Sequence, residues 1–299
     1  MFLCDTHADT LYEMGVNNNP CPIINKERLL KGGVTLQVLA LWTGGDGNRG
    51  DVDSIIKKEL EAFKLLLAQG MIQVSSPLEQ REGQISLMLS IEGCEMFEKS
   101  LHAVEEYARM GVGMAALVWN NENALAFPAK MQTNDGITAY GLKVVKEMQR
   151  LHMAVDTSHL NDQGFFDLFQ KTHLPPCASH SNCRRLRNHF RNLTDEQIRL
   201  LIQNGGYMGI NFYPYFLAEG ETTIETIAEH IDHVCQLGGE KVVGFGSDYD
   251  GGFSILPKGI ETPADFPNLL VLLKHRGYSQ AAIEGIAGQN LIDYFKRIS

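Results

Sequence analysis

Phe2-Leu3-Cys4-Asp5-Thr6-His7-Ala8-Asp9 is a short apolar run that closes on a histidine and a carboxylate two residues apart. Read as a strand, it points both side chains to one face, because successive side chains alternate. An imidazole beside a carboxylate is half of a divalent-metal site. Alone, a His-x-Asp pair is a common accident of sequence. Its weight comes from what repeats after it.

Seven further apolar runs read as strands, over residues 34–42, 85–92, 114–119, 153–159, 176–180, 207–212 and 242–248. Most are followed by helical character. Residues 53–67 carry apolar side chains at helical spacing, with Glu and Lys assigned to the other face. Thr194-Asp195-Glu196-Gln197 is a capping box that opens a helix over 195–203, stopped at Gly205-Gly206. An amphipathic helix over 222–237 is closed by Gly238-Gly239, and 279–298 reads as a terminal helix pair. Strand–helix alternation repeated eight times predicts an α/β chain folded as a (β/α)8 TIM barrel, a single domain spanning residues 1–299. The competitor, a doubly wound open sheet, usually places a Gly-rich phosphate turn after an early strand. The glycine-rich stretch 44–48 reads as a loop rather than such a turn.

Composition agrees with a soluble enzyme-sized barrel. The chain has 299 residues, 44% of them hydrophobic, enough for one large core. Net charge is -10, with no Lys/Arg cluster of the kind nucleic acid requires. No apolar stretch approaches the roughly 20 residues of a membrane helix. The N-terminus lacks a basic segment followed by a long apolar one, so no signal peptide is expected. Six scattered cysteines without a CxxC pair are expected to be reduced thiols in the cytoplasm.

In a barrel of this kind, active sites are built at the C-terminal ends of the strands. Six candidates fall there: His7 and Asp9 on the first, Glu92 on the third, His159 on the fifth, His180 on the sixth and Asp248 on the eighth. Three histidines and three carboxylates at one mouth make a binuclear metal site, and a carboxylate bridges two metals naturally. Glu92 stands mid-order, before Gly93, which lets the backbone turn tightly. Between two Zn2+ ions a water loses a proton near neutral pH and becomes a hydroxide nucleophile. Asp248 then serves as general base or acid, or orients the water. Taken singly, each residue has a plain alternative: a strand-end carboxylate, turn chemistry around Asp248, satisfied buried histidines. The joint pattern is what favours the metal reading. His230 and His233, three apart mid-helix, are expected to be structural or surface residues. Tyr249 and Asp250 shape the loop after Asp248. Cys94 lacks the partners of a catalytic nucleophile and reads as a small loop residue.

These residues resemble the membrane (renal) dipeptidase family of zinc peptidases. The matching segments are DTHADT at 5–10, SIEG at 90–93, LVWNNENALA at 117–126, VDTSHL at 155–160, ASHSN at 178–182, RN at 191–192, GGYMGINFYP at 205–214, AEHIDHV at 228–234 and GSDYDG at 246–251. The resemblance implies a barrel with two zinc ions that hydrolyses dipeptides and tolerates a D-residue at the C-terminal position. It implies that His7 and Asp9 ligate one zinc, that His159 and His180 ligate the other, that Glu92 bridges them, and that Asp248 assists proton transfer. Arg191 then clamps the substrate carboxylate, and Tyr213 lines the pocket.

This chain also departs from the family. Trp119 stands where better-known mammalian members carry a His, and an indole donates one hydrogen bond but shuttles no proton. Trp119 is expected to wall the substrate side chain, with Asn120 or Asn121 compensating at the substrate, or the metals alone carrying the developing charge. The family's disulfide cysteines and lipid-anchor tail are not evident. The expected partner is a dipeptide, with no nucleic acid, no membrane and a homodimer as a possible assembly. Two other readings fit the same metal site: a barrel hydrolase of N-acyl amino acids, lactones or cyclic amides, and a non-catalytic metal-binding relative.

Overall fold

Each of the eight expected runs supplies one parallel strand of the computed structural model, which describes residues 1–44, 51–172, 175–252 and 255–299. The strands are β1 (Cys4–Asp5), β2 (Leu36–Trp42), β3 (Ile72–Val74), β4 (Ser86–Glu92), β5 (Val112–Ala116), β6 (Ala154–Asp156), β7 (Cys177–Ser181), β8 (Tyr207–Ile210) and β9 (Val243–Phe245). Neighbours run β2-β1-β9-β8-β7-β6-β5-β4, and β2 pairs with β4 along Leu36–Trp42 against Ser86–Glu92 to close the ring. This is a (β/α)8 barrel. β3 is the strand the sequence did not predict. It pairs only with the first half of β4, Ser86–Met88, whereas β5 pairs with β4 from Leu89 onward.

Two apolar layers hold the barrel. One lies between strands and outer helices, where Leu39, Leu41, Leu89, Phe63, Leu66 and Val145 are buried. The other fills the barrel's lower interior: Leu36, Val38, Met88, Met114 and Tyr207 pack against Leu291, Tyr294, Phe295 and Ile298 of the helix Asn290–Ile298. That helix floors the barrel and leaves the opposite, C-terminal end open for chemistry. His152 accordingly sits at the closed end, its Nδ1 2.9 Å from the Ile298 carbonyl.

The helices follow their sequence signals with two refinements. The capping box of Thr194 and Gln197 starts the helix Asp195–Asn204, and Gly205 ends it in the left-handed region, as its sequence requires. The helix Val52–Ala68 covers the predicted 53–67, but Glu59 lies on its buried face, not among the solvated charges. The terminal helix pair is the helix Gln280–Glu284 joined to Asn290–Ile298 through a π-turn over Gly285–Gln289. The glycine-rich stretch lies outside the described residues from position 45 on, as does His173. Among the described residues, no helix is long and apolar enough to cross a membrane, and all six cysteines are free.

Candidate metal centre

The strand ends and the turns after them bring all six predicted groups together. Glu92 is the last residue of β4, and His180 lies within β7. The other four sit past their strands, which are shorter than predicted. His7 follows β1 by two residues, and Asp9 is the N-cap position of the helix Thr10–Gly15. His159 and Asp248 lie three residues beyond β6 and β9, each with a left-handed backbone (φ +70° and +63°). Left-handed geometry costs a non-glycine residue about 1–2 kcal/mol and concentrates at functional sites. Gly93, at φ +89°, lets the chain turn directly after Glu92.

One oxygen, Glu92 Oε1, faces three imidazoles. It lies 2.8 Å from His159 Nε2, 3.3 Å from His180 Nε2 and 3.7 Å from His7 Nε2. His7 Nε2 is also 3.8 Å from Asp9 Oδ1 and 3.7 Å from Asp248 Oδ1. The His7 and His180 rings stack with centroids 3.8 Å apart. Two sets of donor atoms fall within 4.8 Å of one another: His7, Glu92 and His180, and His7, Asp9 and Asp248. Among the described residues, His7 Nε2, His180 Nε2 and Asp9 Oδ1 are buried without a hydrogen-bond partner. Buried polar atoms are ordinarily paired. Convergent, unpaired nitrogen and oxygen donors are the chemistry that divalent zinc accepts.

Electrostatics agree. Burial alone would push the His7 imidazole down, but Glu92, Asp9 and Asp248 outweigh it and lift it to about 10. Burial raises Asp9 to about 6, helped by the Glu92 charge. Burial also raises Asp248 to about 8, against the pull of His7 and with the push of Asp9 and Glu92. Burial would raise Glu92 too, yet His159 and His7 hold it well below the usual carboxylate range. His159 is pushed down to about 4 by burial and by Arg191. Burial and the charge of His7 likewise drive His180 well down. On its own the cluster holds protons where a cation would displace them.

A supporting layer orients the imidazoles. Asn120 Oδ1 lies 3.1 Å from His159 Nδ1. Ser179 Oγ lies 2.8 Å from His180 Nδ1 and donates to Asp156 Oδ2. Asn211 Nδ2 donates to Asp248 Oδ2 at 2.9 Å. Gly246 and Gly209 allow this crowding, since a Cβ on either would lie about 2 Å from the Ser179 carbonyl oxygen. Asp250 serves the turn: it accepts from Thr10 Oγ1, Ile23 N and Ile24 N.

Above the cluster opens a cavity of about 430 Å³. The predicted Trp119, Asn120 and Tyr213 line it. Trp119 lies edge-on to Trp42, with centroids 5.0 Å apart. Arg191 is buried one layer back, its Cζ 5.4 Å from the centre of the Phe216 ring, which lines the cavity. Arg191 Nη2 reaches the His180 carbonyl at 3.4 Å, and its Nε has no partner among the described residues.

Sequence reasoning missed Tyr12, Glu13, Asn17, Trp42 and Phe216 on the cavity wall. It also missed Glu59, whose Oε1 accepts from the Trp42 N–H at 3.0 Å and whose carboxyl burial raises well above its usual range. A glutamate within the apolar stripe Ile55, Ile56, Ala62, Phe63, Leu66 was the available signal for Glu59.

His230, His233 and Cys94 have other work. His230 accepts from Cys183 N and faces the Leu217 carbonyl at 2.9 Å, and His233 pairs with Asp195. Cys94 is buried against the Ala116 carbonyl, and burial drives its thiol well above the usual range, away from nucleophilic use.

The model of the membrane dipeptidase family, peptidase family M19, matches residues 1–299. The chain is 32% identical over 267 residues to an uncharacterized protein in the pqqA 5′ region of Klebsiella pneumoniae, covering 83% of this chain and 98% of that one. It is 33% identical over 226 residues to an uncharacterized dipeptidase of Schizosaccharomyces pombe, covering 73% of this chain and 54% of the relative. It thus spans about half the length of that relative. In fold it resembles a metallopeptidase of Rhodobacter sphaeroides solved with a phosphinate mimic of the dipeptide L-Ala-D-Ala. The TM-score is 0.90 at 22% identity, over 100% of this chain and 99% of that one.

Proposed function

This chain belongs to the membrane dipeptidase family, and on that footing we propose that it hydrolyses the peptide bond of dipeptides at a binuclear zinc centre in its barrel mouth. The observation that carries the proposal is the buried, unpaired set of His7 Nε2, His180 Nε2 and Asp9 Oδ1 around Glu92. His7 and Asp9 would hold one zinc, His159 and His180 the other, with Glu92 between. When bound, the metals supply a lowered pKa for a water and a Lewis acid for the scissile carbonyl.

The chain's own groups do the rest. Asp248, oriented by Asn211 at 2.9 Å on the cavity wall, takes the proton of the attacking water and delivers it to the leaving amine. Glu92 keeps its charge among three imidazoles and so fixes their Nε2 atoms on one centre. Arg191, behind Phe216 and with its Nε unpartnered among the described residues, would supply the guanidinium for the substrate's C-terminal carboxylate once that end of the substrate reaches past the wall. Trp119 and Tyr213 confine the substrate. Asn120 accepts from His159 Nδ1–H, which fixes the tautomer presenting Nε2 to the centre.

We extend to this chain a tolerance for a D-residue at the C-terminal position, because a similar fold holds a mimic of L-Ala-D-Ala. Residues 1–299 form one catalytic domain in this reading. The six free thiols support a cytoplasmic setting. The test is a rate comparison of zinc-loaded protein on L-Ala-L-Ala, L-Ala-D-Ala and N-acetyl-D-alanine. Turnover of both dipeptides above the N-acyl compound is expected; the reverse order would replace the dipeptidase reading with an N-acyl hydrolase.

A further inference from the structure

We infer that the cavity wall built by Tyr12, Glu13 and Trp42 is a subsite for a cationic side chain, so that the preferred substrates carry lysine or arginine at the N-terminal position. The inference rests on the dipeptidase reading and deepens it.

The charge inventory of the cavity is one-sided. Among the described residues its lining includes no Lys or Arg but five carboxylates: Asp9, Glu13, Glu92, Asp248 and Asp250. Asp9, Glu92 and Asp248 belong to the donor cluster. Asp250 is consumed by Thr10 Oγ1 and the N–H groups of Ile23 and Ile24. Glu13 is the carboxylate left over. It is also held in place: Asn17 Nδ2 donates to its Oε1 at 2.6 Å and Asn19 Nδ2 to its Oε2 at 3.3 Å. A carboxylate offers about four lone-pair sites, so two amide donors leave room for an ammonium or guanidinium.

Aromatic rings line the same cavity. Tyr12 meets Trp42 edge-on with centroids 4.4 Å apart, and Trp42 meets Trp119 in the same way. An aromatic face next to a carboxylate attracts a cation twice, through the ring quadrupole and through charge.

Barrel order says which end of the substrate arrives there. β2, which ends at Trp42, and β7, which leads into the Arg191 segment, stand four strands apart in the eight-membered ring. They are diametrically opposite. A dipeptide with its carboxylate toward Arg191 and its scissile bond over the donor cluster therefore sends its N-terminal side chain to the Tyr12–Glu13–Trp42 wall.

The probe is a charge isostere pair: L-Lys-L-Ala against L-norleucyl-L-Ala, which share chain length and differ in the terminal ammonium. We expect kcat/KM to favour the lysyl dipeptide by about tenfold. Glu13→Gln should bring that ratio to near one, and Glu13→Lys should turn preference toward Glu-Ala over Gln-Ala. A wild-type ratio near or below one, or a ratio unchanged in Glu13→Gln, overturns the subsite. Cleavage of norleucyl-Ala tests the dipeptidase reading separately. If neither dipeptide is cleaved, that reading has failed, and calorimetry with L-lysinamide and L-norleucinamide still decides the subsite: tighter lysinamide binding lost in Glu13→Gln supports it, and equal affinities refute it.

Discussion

Removing one hydroxyl from the barrel interior probes how the donor histidines are aimed. Ser179 Oγ donates to Asp156 Oδ2 and lies 2.8 Å from His180 Nδ1. With its proton committed to Asp156, the hydroxyl accepts from Nδ1–H and leaves the His180 Nε2 lone pair facing Glu92. Ser179→Ala deletes that acceptor in a fully buried place. Asp156 Oδ1 keeps the N–H groups of Ser158 at 2.9 Å and Ser179 at 2.8 Å, while Asp156 Oδ2 loses its hydroxyl donor together with the imidazole's acceptor. An unpaired buried donor costs about 1–3 kcal/mol, and removing such a supporting partner typically weakens metal binding about 10–100-fold. We expect Ser179→Ala to fold and to bind zinc at least about tenfold more weakly, read by competition with a chromophoric chelator. Zinc affinity within about twofold of the wild type would refute the orienting role.

Three further outcomes follow from the geometry. Glu92→Gln, which removes the charge shared by three imidazoles, should abolish dipeptide turnover and weaken zinc binding at both positions; near-normal turnover would rule out a shared carboxylate. Arg191→Ala should raise KM for free dipeptides far more than for amidated ones, and equal effects would rule out a carboxylate clamp. His230 is held neutral by burial, with its pKa lowered from 6.5 to about 4. The unfolded chain therefore binds the extra proton between those values, and stability falls as pH drops through that window, by roughly 3 kcal/mol. Denaturant unfolding at pH 7 and pH 4 should show a slope that His230→Asn lessens, and an identical slope in the variant would contradict the assignment.

The fold was legible because hydrophobic runs and helix signals repeat eight times, and β3 escaped because three residues with no alternating pattern carry no periodic signal. The six-residue cluster was legible for a reason that needed correction. His7 and Asp9 do not share a strand face: β1 ends at Asp5, and the turn into the helix Thr10–Gly15 aims both. The same holds for His159 and Asp248, which lie past their strands with left-handed backbones; Asp and His are among the non-glycine residues that tolerate that region, but sequence alone does not say which of them adopts it. Trp42 and Glu13 were hidden because cavity walls are made by packing between segments distant in sequence. Asn120 was expected at the substrate; it lines the cavity, but its oxygen is engaged by His159.

The central claim, that the barrel mouth is a two-zinc dipeptidase centre, is met most directly by titrating zinc into chelator-stripped protein while following hydrolysis of L-Ala-D-Ala. The account predicts no turnover before zinc, and activity that rises until about two zinc ions per chain are bound. Saturation at fewer than about one zinc per chain, with no hydrolysis after zinc is restored, would contradict it.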